Sequence, residues 1–287
     1  MTCPLSRRAL LLASTASMWG CQARRSDASA LALQDRALSV DFVALGELHD
    51  NPHHHRLRAE WVAAWCRQAK HLRRPSGRGP AVVLEHLPQG AVLHWSSGDD
   101  LLSMLSAQGF DAKGWRWPVH QPLMEGLLAA ACPIQGGNLP KDMAKRVVRE
   151  GTGILSPALQ AWIANSPLTP AALADLEHQL RASHCQTLPE RLLPGMVHAQ
   201  RARDAAMADT MAKAWRLGHR PVVLMAGNGH TRRDWGVPQM LQQRLPHATC
   251  LSVALSEDGN VPTAASAQAY DLLWPTPPAA RPPSCPH

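Results

Sequence analysis

The stretch Val40-Asp41-Phe42-Val43-Ala44-Leu45-Gly46-Glu47-Leu48-His49-Asp50-Asn51-Pro52-His53-His54-His55 decides the fold. Apolar residues at 40 and 42–45 spell a short strand of the kind buried on both faces. Gly46 lets the backbone turn. Asn51 is placed as an N-cap with Pro52 at the first helical position, so a helix starts there. Leu57, Trp61, Val62 and Trp65 recur at 3–4 spacing and give that helix one apolar face. Glu47 and His49 therefore sit at the carboxyl end of a buried strand, where ligand sites form in open α/β sheets.

Two more strands end in the same way. Ala81-Val82-Val83-Leu84-Glu85-His86 is a second buried strand with an acid at its end, and Pro221–Ala226 runs into Gly227-Asn228-Gly229-His230. If the three strands are neighbours, Glu47, His49, Glu85 and His230 converge on one crevice. Two acids and two imidazoles can bind a divalent metal or carry out acid–base chemistry. The same four can instead form a buried hydrogen-bond network that holds the strand ends together.

The remaining pattern completes an α/β chain. Leu101–Leu105, Leu123–Ala131 and Val237–Arg244 read as helices; Ala248–Leu255 and Tyr270–Trp274 read as strands, and Pro133–Pro140 as a short strand and loop. Residues 141–217 are helix-rich, with Lys141–Glu150, Pro157–Ala164, Pro170–Ser183 and the long amphipathic Met196–Leu217. The expected fold is a mostly parallel sheet flanked by helices in two or three layers, with a helical subdomain inserted at about 141–217. Pro275–His287 is a Pro-rich tail without a core pattern.

The amino terminus reads as an address. Ser6-Arg7-Arg8 precedes the apolar run Ala9–Met18, too short to span a bilayer as a helix. Met18-Trp19-Gly20-Cys21 resembles an imperfect lipobox, so residues 1–21 are expected to be an export signal ending at a lipidated Cys21; the alternative is a plain signal peptide in which Cys21 is incidental. Gln22 after that Cys suits outer-membrane sorting, and 22–39 is then a tether. The net charge of +7 includes four arginines in the first 25 residues, which hold no acid; removing them leaves +3. That is too mild to argue for nucleic acid, and no RNA-binding signature or zinc-finger spacing is present. Cys66, Cys132, Cys185, Cys250 and Cys285 show no CxxC spacing, so a zinc cage is not indicated. Export permits a disulfide, but five is an odd number and the pairing is not readable; small buried hydrophobes are the default.

The opening stretch Gly46-Glu47-Leu48-His49-Asp50-Asn51-Pro52-His53-His54 resembles the first motif of the ChaN-like haem-binding lipoproteins. These stand within a larger group that includes Tiki proteases and erythromycin esterases. The resemblance runs from about Val40 to Trp274. It is carried further by Gly114-Trp115-Arg116-Trp117-Pro118-Val119-His120-Gln121-Pro122, by Pro133–Pro140, by His184-Cys185-Gln186 and by Pro194–Asp204. His120 stands where a Tyr is usual, and Gln186 where Gly is usual. The resemblance implies haem binding and iron uptake at the cell envelope, a haem-uptake receptor as partner, and a lipid anchor in the membrane. It also implies paired haems enclosed between two subunits, hence a homodimer when loaded. In the Tiki and esterase relatives, residues corresponding to His49, Glu85 and His230 are linked to metal or catalysis, so a metal-dependent hydrolase is the alternative function.

Haem iron takes a His, Met, Cys or Tyr side chain axially. The resemblance suggests a tyrosine ligand in at least one member, yet the only tyrosine here is Tyr270. The candidates are therefore His198 first, with Met196 as a possible second partner, and His184 and His120. Met196 and His198 lie at the start of the Met-rich helix, whose apolar face suits a flat ring. By default that stripe is core against another helix. His53–His55 and His71 read as solvated. Arg201, Arg203, Arg232 and Arg233 can pair propionates or simply face water.

Overall fold

The computed structural model describes residues 29–71, 77–94, 98, 100–258, 268–281 and 285. Residues 1–28, which include Cys21 and the stretch expected to be an export signal, lie outside them.

Seven strands form one sheet in the order β3-β4-β2-β5-β1-β6-β7. They are β1 (Phe42–Leu45), β2 (Ala81–Pro88), β3 (Val92–Leu93), β4 (Ile134–Asn138), β5 (Val222–Met225), β6 (Cys250–Glu257) and β7 (Leu272–Thr276). All pairings are parallel except β3 with β4. The central strands carry no polar face because both faces are covered. Val43, Leu45, Val82, Leu84, Val223 and Met225 pack on one side; Phe42, Ala44, Ala81, Val83, Val222 and Leu224 pack on the other. The period-2 alternation of a strand sends each set to its own layer. The fold is thus three-layered α/β, as the uniformly apolar runs imply.

The first layer holds helix α1 over residues 29–39, α2 (Pro52–His71), α3 (Leu101–Ala107) and α4 (Gln121–Ala129). The expected N-cap forms: Asn51 Oδ1 accepts from the His53 N–H at 2.9 Å. The segment expected as a tether is helical from 29 to 39, and its Leu33, Ala37 and Leu38 are buried in the core. Their i, i+4 spacing gives that helix an apolar stripe.

The second layer holds α5 (Lys141–Glu150), α6 (Pro157–Ala164), α8 (Leu193–Arg216) and α9 (Val237–Arg244), with α7 (Pro170–Ser183) packed on the outer end of α8. Residues 141–217 are helical, yet they do not stand apart from the sheet. Ala202, Ala205, Ala206 and Met207 of α8 are fully buried in the same cluster as the β1, β2 and β5 side chains. Small residues let this helix lie close on the strands.

Among the described residues, two disulfides join Cys66 to Cys132 and Cys185 to Cys285, and Cys250 is free. The chain behind β7 is tied down as well. Arg281 pairs with Glu257 through two hydrogen bonds, and the Pro277 carbonyl accepts from Asn51 Nδ2 at 3.0 Å.

Candidate functional site

Three neighbouring strand ends make the site. Met225 of β5 is in register with both Leu45 of β1 and Leu84 of β2. Gly46-Glu47, just past β1, and Glu85-His86, within β2, therefore stand on either side of Ala226-Gly227. Gly46 is required for close approach: a Cβ there would overlap Asn228 Oδ1. Asn228 in turn clamps the end of β6, donating to the Leu255 carbonyl at 2.8 Å and accepting from its N–H at 3.3 Å.

The four residues expected together divide into two adjoining groups. Glu85 and His86 are consecutive in β2, so alternation sends them to opposite faces. On the α2–α4 face, Glu47 Oε1 lies 2.6 Å from His49 Nδ1, 3.2 Å from His86 Nε2 and 3.5 Å from His120 Nε2. Its other oxygen faces His55 Nδ1 at 3.3 Å and forms an ion pair with Arg58. On the α8 face, His230 lies between Asp204, 2.6 Å from Nδ1, and Glu85, 3.3 Å from Nε2. Glu85 also accepts the Gly227 N–H at 2.7 Å. His49 joins the two groups, because its ring lies against Gly227, where a Cβ would come within 2.8 Å of it.

The electrostatics of the two groups are opposite. Burial, with His55 adding to it, pushes His120 down to about 2; burial also takes His55 to about 4 and holds His86 well below the usual imidazole range. These rings are neutral bases at pH 7. Burial lowers His49 too, opposed by the Glu85 charge, although 47% of its side chain remains exposed. Burial alone would lower His230 as well, but Glu85 and Asp204 outweigh it and raise the imidazole to about 10. His230 is therefore an imidazolium at neutral pH, and its charge keeps Glu85 ionised.

A cavity of about 270 Å³ opens on these groups, lined among others by His49, Glu85, His86, Trp115, Asn138 and Arg203. Trp115 forms its wall over the imidazoles, with ring centroids 5.0 Å from His49 and 4.5 Å from His86. It suits a small polar ligand or an ion; small-molecule pockets commonly hold roughly 300–1,000 Å³.

The haem-ligand candidates are placed apart. His198 and His184 are exposed, and Met196 is half-buried against the cluster of Leu176, Leu180 and Trp235. His120 is 1% exposed and belongs to the Glu47 group, so no porphyrin face reaches it in this conformation. Tyr270 donates its hydroxyl proton to the Asn228 carbonyl, and burial pushes the phenol up to about 12. Arg201 and Arg232 are not surface groups. Arg201 donates to the Trp235 carbonyl at 2.7 Å, and Arg232 pairs with Asp234 and Asp175. Arg233 pairs with Asp271, whereas Arg203 faces the cavity.

His55, Arg58, His86 and Asp204 were not anticipated as site residues. The expectation that His53–His55 are solvated fails for two of them: His54 and His55 are fully buried. A signal was present. His54, Arg58, Trp61 and Trp65 share one helical face, so the apolar stripe of α2 continues toward its amino end as polar groups. His71 lies at the edge of the described residues, and its side chain is not among them.

Residues 33–241 match the family described as haem-binding uptake, Tiki superfamily, ChaN. The chain belongs to that family. A solved structure of ChaN of Campylobacter jejuni, described as binding haem cofacially, superposes with a TM-score of 0.63 at 20% identity, covering 80% of this chain and 86% of that one. An erythromycin esterase mutant in its open conformation gives 0.38 at 14% identity, over 76% of this chain and 70% of that one. A succinoglycan biosynthesis protein gives 0.36 at 13%, over 78% and 68%. No curated protein matches. The ChaN likeness shows the shared fold, and the family match carries the haem-binding uptake assignment.

Proposed function

We propose that this ChaN-family protein is exported, anchored at the outer membrane through a lipidated Cys21, and there holds haem for iron uptake by passing it from or to a receptor. The observation that carries the reading is the family match over 33–241. Two disulfides suit an oxidising compartment outside the cytosol. No helix among the described residues is long and apolar enough to cross a membrane.

Haem here is cargo, and its place is an outer face. The cavity beside Glu47 is too small to enclose a porphyrin. The α7–α8 end offers what a surface haem needs: the exposed imidazoles His184 and His198, the thioether of Met196 and the exposed side chain of Leu192. A porphyrin lying on such a face leaves its second side open, which a second copy and its own haem would cover. Hemin titrated into the purified protein should give a shifted Soret band that His198→Ala removes. An unshifted spectrum would refute haem binding, and a shift kept in both His198→Ala and His184→Ala would move the ligand elsewhere.

A second reading is a hydrolase of ester or peptide substrates. It is favoured by the imidazolium of His230, held between Glu85 and Asp204, and by the cavity that Glu85 and the partly exposed base His49 line. The pairing of a cation with a nearby neutral imidazole suits acid–base work. Turnover in an ester and peptide screen, abolished by His49→Ala, is its test.

A further inference from the structure

His120 keeps one ring nitrogen buried without a hydrogen-bond partner. Its Nδ1 lies 2.8 Å from the Trp115 carbonyl oxygen, which can only accept. The neutral ring therefore carries its N–H at Nδ1, and Nε2 presents a bare lone pair. That lone pair faces Glu47 Oε1 at 3.5 Å and makes no hydrogen bond, although the side chain is almost wholly buried. Two acceptors thus confront each other away from water, an arrangement that costs free energy unless something electropositive lies between them. A proton on Oε1 would satisfy His120 alone, whereas a cation there would be met by all three imidazole nitrogens that converge on that oxygen.

We propose that Glu47, His49, His86 and His120 form a site for a single divalent transition-metal ion of the zinc type. The four donor atoms lie within 4.8 Å of one another. With metal–nitrogen bonds of 2.0–2.1 Å, tetrahedral ligand atoms stand about 3.3 Å apart. The imidazole nitrogens lie 2.6, 3.2 and 3.5 Å from Oε1, around that separation. Three imidazoles and one carboxylate favour zinc, cobalt or nickel over magnesium or calcium, which take oxygen-rich shells.

The surroundings support the ligands as an outer shell does. The Trp115 carbonyl sets the His120 tautomer. The other oxygen of Glu47 is balanced by Arg58, which also donates to the Leu45 carbonyl at 3.2 Å. His55 bonds the His49 carbonyl at 3.0 Å and so fixes the backbone carrying that ligand. His49 and His86 line the cavity, which gives an ion a way in. This donor set differs from the one expected from sequence, since His86 and His120 take the places of Glu85 and His230.

The test uses tag-free, full-length protein dialysed against zinc and then against metal-free buffer. Metal analysis should find one zinc retained per chain, and cobalt loading should give the visible bands of a tetrahedral ion. His86→Ala and His120→Ala should each cut the affinity for zinc at least ~10-fold, while His230→Ala keeps it. Circular dichroism checks that each variant is folded, and the cobalt spectrum of the unaltered protein needs no variant. Metal-free protein after dialysis with no cobalt bands overturns the site. So does zinc held equally by the His86 and His120 variants, or lost only with His230. Hemin spectra are read separately, so failure here leaves the haem reading standing.

Discussion

At the carboxyl ends of β1 and β2, His49, His86 and His120 gather round the buried Glu47, whereas at the α7–α8 end His184 and His198 stand in water. The residue type is the same and the circumstances are opposite. In the first region burial disfavours protonation of the rings, and the Trp115 carbonyl sets the tautomer of His120. In the second the rings are reachable by a large flat ligand. A histidine in a sequence names neither role; the layer that covers it does.

The largest expected effect separates the regions by stability. Glu47→Ala leaves the Arg58 charge buried without its partner, which should cost about 3–5 kcal/mol. Urea unfolding measures it, and a loss near zero would mean that the cluster is open to water.

A smaller effect tests whether buried imidazoles really stay neutral. Burial depresses His54 to about 4; its Nδ1 accepts the Leu48 N–H at 2.9 Å, and Nε2 bonds the Thr276 hydroxyl at 2.7 Å. The unfolded ring binds a proton near pH 6.5 and the folded ring refuses it. Stability should therefore fall as pH drops from about 6.5 toward 4, by up to ~3 kcal/mol. Urea midpoints at pH 7 and pH 5 should differ less in His54→Asn than in the unaltered chain. An identical pH dependence in both would count against a neutral, buried His54.

The smallest effect belongs to the exposed region. His198→Ala should change stability by no more than about 0.5 kcal/mol while removing the hemin shift. A large stability loss there would show that His198 is structural and blur the contrast between the regions.

Most of the architecture was legible because it is written locally. The strand around Ala44, the N-cap at Asn51 and the apolar stripe through Trp61 and Trp65 need only neighbours within a few residues. The haem-binding family was legible too, in the run from Gly46 to His54. The site was legible only in part. Three polar strand ends marked the right end of the sheet, but they did not tell which groups share a face. Glu85 and His86 differ by one residue and end on opposite sides.

What the sequence by itself determined is the order and type of the elements, the family, and the placing of acids and imidazoles at strand ends. Hydrophobic period and capping act over one or two turns, so no tertiary contact was needed to read them. Only the tertiary structure decided that His120 meets Glu47 across 73 residues of chain, that His230 lies between Glu85 and Asp204, and that Cys185 bonds Cys285. Those contacts depend on strand order, on which face each side chain takes, and on how the loops close. None of these leaves a periodic mark in the chain.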